Sequence, residues 1–342
     1  MNIYDKNGWL CFDKLYTDPV YNFFIIIGSR QVGKTYGTVK FILQQKEFFM
    51  WMRRTEEELY MLMTDPDKNP FTEHDPNIII KALPKSKLCG IFKMDDPEAP
   101  EMIGYAAALT TIKTMRGFNM QHVKWLVYDE FVPEKHVRKI RKEGDAFLNA
   151  YVTISGNREL QGKKALKAIL LSNSNDLSHD VLYSLHCIHD VEEMKRKHQE
   201  IKLLNKKGIA IILPKSEKII EERKKTAIAR VLSEDSEFWK MAFENDFAYN
   251  SMLYILPVDP AALIPYCKVG KLFFYQQKGV GNYYCSLVKR GVFNTEFPEG
   301  LEGVRASMIY TYPVIEAYNS GGLAFEEYTA KKLFIDTFNI KV

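Results

Sequence analysis

The sequence has no apolar run that approaches the ~18 residues of a membrane-spanning helix. Its first ten residues, MNIYDKNGWL, also lack the basic and apolar regions of a signal peptide. With 46% hydrophobic and 26% charged residues, a chain of 342 residues is expected to form globular domains. We therefore expect a cytoplasmic protein of two domains that does not contact a membrane.

Cysteines are few, and no two of them form a CxxC pair. The five cysteines are an odd, scattered set, which is typical of reduced thiols rather than of a disulfide framework. The sequence HCIH at positions 186–189 has no second ligand cluster. We therefore interpret it as structural and predict no zinc site there.

The stretch FFIIIGSRQVGKTYG, residues 23–37, changes from a buried-strand pattern to a glycine-rich turn and then to a helical pattern. It matches GxxxxGK[ST], in which backbone N–H groups bind the phosphates of a nucleotide at a helix N-terminus. Lys34 supplies positive charge to the β- and γ-phosphates, and the Thr35 hydroxyl is a ligand for Mg²⁺. The predicted nucleotide-binding residues are Gly28, Ser29, Arg30, Gln31, Val32, Gly33, Lys34 and Thr35. GTPase and ABC ATPase interpretations are weaker, since the chain has neither NKxD nor LSGGQ.

A second apolar strand, VKWLVYDEF, ends in two adjacent carboxylates. Asp129 at the strand end is predicted to hold the magnesium shell, and Glu130 to polarise a water for in-line attack on the γ-phosphate. Such a pair favours hydrolysis over phosphoryl transfer, because a kinase has no use for a water-activating base. The two motifs together predict an enzyme that hydrolyses ATP with Mg²⁺.

A third strand, KAILLSNSND, ends at Ser172 and Asn173. Because the carboxyl ends of parallel strands face the ligand, Asn173 is predicted to sense the γ-phosphate or to position the attacking water. A simple turn is an equally good interpretation of this stretch. KEFFMWMRR and AAALTTI, near residue 110, read as further strands. The alternation of strands and helices predicts a three-layer α/β domain with a mainly parallel sheet.

The order of these motifs resembles a known family. SRQVGKT after an apolar strand is similar to the P-loop of viral large terminases and related DNA-packaging ATPases. A strand ending in RR, then YDEF, NRE, LSN and ERKKTAIARVLSEDSEF, follow in the order found in the encapsidation ATPases of phi29-like short-tailed bacteriophages. The similarity covers about two-thirds of the chain, and its specificity lies in the order of the motifs.

The resemblance implies a P-loop ATPase domain of the ASCE type and a homo-oligomeric ring, a pentamer in this family. Such a motor drives double-stranded viral DNA into a preformed procapsid in the host cytoplasm. It docks transiently on the portal (connector) protein, and a structural RNA is a further candidate partner. The resemblance also assigns Gly28, Gly33, Lys34 and Thr35 to phosphate and magnesium, Asp129 and Glu130 to metal and catalysis, and Arg30 to the vicinity of the γ-phosphate.

It further implies an arginine that acts on a neighbour's nucleotide, where such a finger contributes about 10³ to 10⁵ in rate in other systems. Arginines flank the corresponding asparagine in the family. Here Gly156 precedes Asn157 and only Arg158 follows it, so Arg158 is the predicted finger. Arg116 and Lys113 in KTMRGFN are alternative candidates, although a solvated loop explains that stretch equally well.

Residues 194–230 contain twelve Lys/Arg and four Asp/Glu, although the whole chain has a net charge of +4. This local excess predicts binding to a phosphate backbone without reading its sequence, and a solvated helix face is the alternative. The predicted organisation is an ATPase domain over 1–193, a basic linker or hinge over 194–244 and a C-terminal domain over 245–342.

The C-terminal part has the signals of a hairpin, GKLFFYQQ and NYYCSLVKRGVF around KGVG, and of a final helix, GLAFEEYTAKKLFIDTF. The resemblance to terminases implies a smaller α+β RNase H-like domain, in which acidic strand residues hold two metal ions. The strands between Lys271 and Phe293 have no Asp or Glu and carry Gln276, Gln277 and Lys278. We therefore expect a nuclease-like fold without nuclease activity, which binds portal, DNA or RNA.

Two other functions stay open at this point. A helicase or another DNA-dependent P-loop ATPase has the same Asp-Glu site, and strand separation distinguishes it from translocation on intact duplex. A nucleotide-binding switch or scaffold binds ATP with little turnover.

Overall fold

The computed structural model of the chain describes residues 2–29, 31–115, 120–133, 140–173, 179–231, 239, 255–256, 258–279 and 281–340. The chain forms two compact units, Met1–Asn175 with Glu193–Ala248, and Asp176–Glu192 with Tyr249–Val342. This division differs from the predicted domains. Residues in the predicted linker form strands of the first unit, and the segment before it belongs partly to the second.

The first unit is built on a nine-stranded sheet in the order β3-β4-β5-β2-β6-β7-β1-β9-β8. Its strands are β1 Phe23–Gly28, β2 Phe49–Arg53, β3 Ile78–Ala82, β4 Cys89–Lys93, β5 Glu101–Ala108, β6 Trp125–Asp129, β7 Lys167–Asn173, β8 Ile201–Leu204 and β9 Ile209–Ile212. The strands from β5 to β9 in this order are parallel, and β3, β4 and β8 add antiparallel edges. The predicted α/β fold with a large, mostly parallel sheet is confirmed.

The helices of the first unit precede, connect or follow these strands. They are α1 Asp13–Tyr16, α2 Lys34–Gln45, α3 Glu56–Thr64, α4 Glu143–Ser155, α7 Glu217–Lys224 and α8 Ala227–Val231, while α6 Ile188–Arg196 spans the boundary with the second unit. Strand β1 is buried from Phe24 onward because it lies in the middle of the sheet, which explains its unbroken apolar run. The stretch AAALTTI is only partly a strand, since β5 ends at Ala108 and a 3₁₀ helix, Leu109–Met115, follows.

The second unit contains a five-stranded sheet in the order β13-β10-β11-β12-β14. Its strands are β10 Leu263–Val269, β11 Leu272–Gln277, β12 Tyr283–Ser286, β13 Glu296–Phe297 and β14 Leu323–Phe325, and its helices include α5 Asp180–Ser184, α9 Leu301–Ser320 and α10 Tyr328–Phe338. The predicted hairpin is confirmed as the antiparallel pair β11 and β12. The predicted final helix is too long, because its first residues form β14 beside β12.

Among the described residues, no helix is long and apolar enough to cross a membrane.

Candidate nucleotide-binding site

The glycine-rich turn between β1 and α2 has the backbone that a phosphate loop requires. Gly33 caps α2 in the left-handed region, with φ 86°, and Gln31 lies there too, with φ 61°. Glycine adopts this region without steric cost, whereas a side chain makes it strained. Val32 is buried beneath the turn, and Arg30 lies outside the described residues.

Lys34, the first residue of α2, is held over this turn. Its buried ammonium donates hydrogen bonds to the carbonyls of Gly28, at 3.1 Å, and Ser29, at 2.7 Å. It also donates to Oδ1 of Asn173, at 3.2 Å, because β7 lies next to β1 and both strands end at the same edge. The lysine charge and the strand-end amide therefore meet where the terminal phosphates of a nucleotide are expected.

Thr35 and Asp129 are brought together from two parts of the sequence. The Thr35 hydroxyl lies 3.5 Å from Oδ1 of Asp129, at the end of β6. Burial raises the pKa of Asp129 above its ordinary value, and the nearby Arg53 guanidinium opposes this shift. Glu130 follows with its carboxylate half exposed and its backbone at φ 56°. Two hard oxygen donors therefore lie side by side, and a second carboxylate faces the open site.

Arg53 joins the two carboxylates, which the sequence alone did not predict. One guanidinium nitrogen donates to Oδ2 of Asp129 at 2.8 Å and another to Oε2 of Glu130 at 2.6 Å. Strand β2 is the neighbour of β6, with Met52 opposite Tyr128, so their last residues lie together. The strand ending in RR was visible in the sequence, but the pairing depends on the strand order.

The next residue, Arg54, anchors α4 behind the site. Its guanidinium and the Glu143 carboxylate form two hydrogen bonds of 2.9 Å, and both side chains are only 1% exposed. The Tyr128 hydroxyl also donates to Glu143, at 2.5 Å. This buried network connects the ends of β2 and β6 to the first turn of α4, and it stiffens the edge that presents Asp129.

Arg158, the predicted finger, lies in the interior of its own subunit. Its guanidinium donates to the carbonyls of Val123 at 2.6 Å, Ser155 at 2.9 Å, Ile154 at 2.9 Å and Met120 at 3.3 Å, and the residue is 1% exposed. To act on a neighbour's nucleotide, Arg158 would have to leave these four carbonyls. Its trans role therefore stays a prediction that needs this rearrangement. Arg116 and the side chain of Lys113 lie outside the described parts.

A cleft of about 810 Å³ opens at this edge of the sheet, which is a common size for a small-molecule site. It is lined by Gln31, Gly33, Lys34, Thr35, Tyr36, Asp67, Asn69, Pro70, Thr72, Glu73, Asp129, Glu130, Leu171, Ser172 and Asn173. Of the predicted site residues, those that line this cleft are Gln31, Gly33, Lys34, Thr35, Asp129, Glu130 and Asn173. The predicted finger Arg158 does not line it. The sequence did not predict the wall at 67–73, which is attached to α2 by a hydrogen bond between the His74 ring and the Tyr36 carbonyl at 3.1 Å.

Of the second unit's strands, β10, β11 and β12 present no carboxylate, since the sequence from Leu263 to Ser286 has no Asp or Glu. The described residues also contain no group of three His, Cys, Asp or Glu side chains that could hold a metal ion. Cys187 of the HCIH stretch is buried, and its thiol donates to the Leu185 carbonyl.

The fold is similar to that of known DNA-packaging motors. The structure is similar to the DNA packaging motor gp11 of Phi-28, with 17% identity and a TM-score of 0.62 over 98% of this chain and 100% of that chain. It is also similar to the genome packaging motor assembly of bacteriophage Phi-29, with 18% identity and a TM-score of 0.64 over 99% of each chain. No curated protein matches the sequence significantly.

The match at the level of sequence families is more specific than these likenesses of fold. Residues 4–257, which include the phosphate loop, both carboxylates and the basic segment, match the family described as podovirus DNA encapsidation protein (Gp16). This region is well over half of the chain. The chain therefore belongs to the podovirus DNA encapsidation protein family.

Proposed function

We propose that the protein hydrolyses ATP and uses the energy to move double-stranded viral DNA into a procapsid. One observation carries this proposal, the convergence of Lys34, Thr35, Asp129, Glu130 and Asn173 on one cleft at the carboxyl edge of the sheet. In this arrangement Lys34 binds the terminal phosphates, and the Asn173 side chain lies next to them because it accepts a hydrogen bond from the Lys34 ammonium. The adjacent Glu130 carboxylate takes the proton of the attacking water.

The oxygen donors at the site fit magnesium. Thr35 Oγ1 and Asp129 Oδ1 are 3.5 Å apart, and hard oxygen ligands are what Mg²⁺ prefers. These two residues would hold the ion, which when bound neutralises charge on the phosphate oxygens. Glu130 is one residue further along; its half-exposed carboxylate lines the same cleft and accepts a hydrogen bond from Arg53 at 2.6 Å.

The basic segment supports a DNA-contacting role, although part of its charge is neutralised locally. Lys224, the last residue of α7, and Lys225 after it form ion pairs with Glu221 and Glu222. Lys202 pairs with Glu193. Lys206 and Lys215 are exposed, and cations of this kind contact phosphates independently of sequence. We propose that the segment 194–230 contributes to DNA binding as part of the ATPase unit.

We also propose that the protein acts as a ring, docked on the portal protein in the host cytoplasm, with a pentamer expected from the family resemblance. A trans-acting Arg158, Arg116 or Lys113 belongs to this proposal, as does a structural RNA as partner. For the second unit we propose an RNase H-like ancestry without nuclease activity. The antiparallel meander β10-β11-β12 supports this ancestry, and the lack of acidic residues on its strands supports the loss of cleavage.

The decisive experiment is ATP-driven uptake of duplex DNA by matching procapsids, measured as nuclease-protected DNA. Wild-type protein should protect DNA only with hydrolysable ATP, and Glu130→Gln should protect none. Unwinding of duplex DNA without uptake would favour a helicase. Nucleotide binding without DNA-stimulated turnover would favour a switch or scaffold.

A further inference from the structure

An exposed tryptophan lies beside the phosphate loop. A Cβ added to Gly33 would be 3.2 Å from Cε3 of Trp9, so the indole contacts the backbone that caps α2. Trp9 is 45% exposed, whereas the other three tryptophans, Trp51, Trp125 and Trp239, are 5% exposed or less. Trp9 therefore offers a large aromatic face to solvent directly beside the phosphate loop.

The turn that presents Trp9 is held in place from several directions. The Asp5 carboxylate accepts the Trp9 backbone N–H at 2.9 Å, and the Asp5 N–H donates to the Trp9 carbonyl at 2.8 Å. Ser216 donates from its hydroxyl to the Gly8 carbonyl at 2.7 Å. Gly37 of α2 has no side chain to block the Leu10 carbonyl, which lies 2.6 Å from where its Cβ would be. The backbone that carries the indole is therefore fixed, so a ligand that stacks on Trp9 has only its side chain to order.

The strand order indicates the direction in which a bound nucleotide would extend from the phosphate loop. On one side of β1 lies β7 with Asn173, and beyond it β6 with Asp129 and Glu130, where the γ-phosphate belongs. On the other side lies β9, and after it Pro214 packs on the loop, 2.8 Å from where a Cβ of Gly28 would be. A triphosphate with its γ end at the carboxylates would extend along the loop toward the β9 side, where Ser216, which follows β9, donates to the carbonyl of Gly8 next to Trp9.

We propose that Trp9 is the stacking platform for the nucleobase. This inference rests on the proposed ATPase function and names the part of the site that the phosphate-binding residues leave undefined. Stacking uses the face of a base, which every base has. Larger purine rings stack over more area, so the platform favours purine over pyrimidine nucleotides while the phosphate loop supplies affinity common to all.

The test compares ADP, which has a base, with tripolyphosphate, which has none, on the full chain by calorimetry. Trp9→Ala should weaken ADP binding about 5- to 150-fold, the ratio that corresponds to one base–aromatic stack, and leave tripolyphosphate binding unchanged. Trp9→Phe should recover most of the loss. Tyr60→Ala, which removes another exposed aromatic ring from helix α3, is the matched control and should change neither ligand.

Fluorescence gives a second readout, because Trp9 is the one exposed tryptophan of the four. ADP should quench the wild-type emission, tripolyphosphate should not, and the quenching should vanish in Trp9→Phe. Equal losses of affinity for ADP and tripolyphosphate in Trp9→Ala, or no loss for either, would refute the proposed stacking on Trp9.

Lys34→Ala separates this failure from failure of the ATPase proposal. If wild type binds both ligands and Lys34→Ala weakens both, the phosphate site stands whatever Trp9 does; if wild type binds neither, the ATPase proposal itself is wrong, and the platform with it.

Discussion

Replacing Arg158 by alanine distinguishes a structural arginine from a finger that acts on a neighbour. The substitution removes donors from the carbonyls of Met120, Val123, Ile154 and Ser155. Because the side chain is 1% exposed, water cannot replace these donors without opening the unit. A residue whose role lies at a neighbour's nucleotide would leave the stability of its own subunit almost unchanged.

The magnitude follows from the number of bonds. A hydrogen bond to a charged group contributes about 1.5–3 kcal/mol, and an unsatisfied buried carbonyl costs about 1–3 kcal/mol. These terms are not additive over one guanidinium, so we expect a loss of about 3–5 kcal/mol, at the upper end of single substitutions. For a unit of this size, that lowers Tm by roughly 6–20 °C.

Denaturant and thermal unfolding of the full chain measure this loss. Lys163→Ala is the control, since the ammonium of this exposed lysine donates to the side chains of Gln121 and Gln161, and its loss should cost little. An unchanged Tm for Arg158→Ala would refute the structural reasoning.

Mixing the two variants then tests whether Arg158 acts on a neighbour's nucleotide. If it does, rings that contain both Arg158→Ala and Glu130→Gln subunits regain some complete interfaces and part of the ATPase activity. Mixtures that stay inactive, while wild-type subunits demonstrably exchange, would leave Arg116 or Lys113 as the better candidate.

Four further results are expected. Glu130→Gln should bind ATP with Mg²⁺ but not hydrolyse it in single-turnover assays, because an amide is not a base; near wild-type turnover would remove Glu130 from catalysis. Lys34→Ala should weaken nucleotide binding itself, and unchanged affinity by calorimetry would contradict the phosphate-binding role. Arg53→Gln should lower Tm in metal-free buffer, since it leaves two neighbouring carboxylates uncompensated, and Mg²⁺ should raise Tm more in this variant than in wild type; equal shifts would argue against competition for the carboxylates. Plasmid incubated with the full chain and Mg²⁺ or Mn²⁺ should stay supercoiled, and nicking that persists in Lys34→Ala would disprove the inactive nuclease.

The central part of the site could be predicted because its signals are local. The unbroken apolar run of β1, the glycine turn and the first residues of α2 are contiguous, and the carboxylates directly follow a second apolar run. Asn173 could be placed beside them once β7 was recognised as parallel, since parallel strands end at one edge.

The rest depended on contacts between distant residues. The pairing of Arg53 with Asp129 requires β2 to be the neighbour of β6, which no local pattern states. The composition of 194–230, which is dominated by lysines, suggested a linker and hid β9, an apolar run, Ile209–Ile212, that pairs with β1. The antiparallel edges and the long helix α9, which contains Pro313, had similarly weak local signals.

The left-handed backbone of Glu130 has a consequence for how the family can vary. A non-glycine residue in this region costs on the order of 1 kcal/mol relative to glycine, because its Cβ crowds the backbone. Glycine at position 130 would relax the turn after β6, but it would delete the carboxylate that accepts from Arg53 and that we propose for hydrolysis. The strained backbone is therefore a cost that the chain accepts in order to keep a carboxylate at the end of β6.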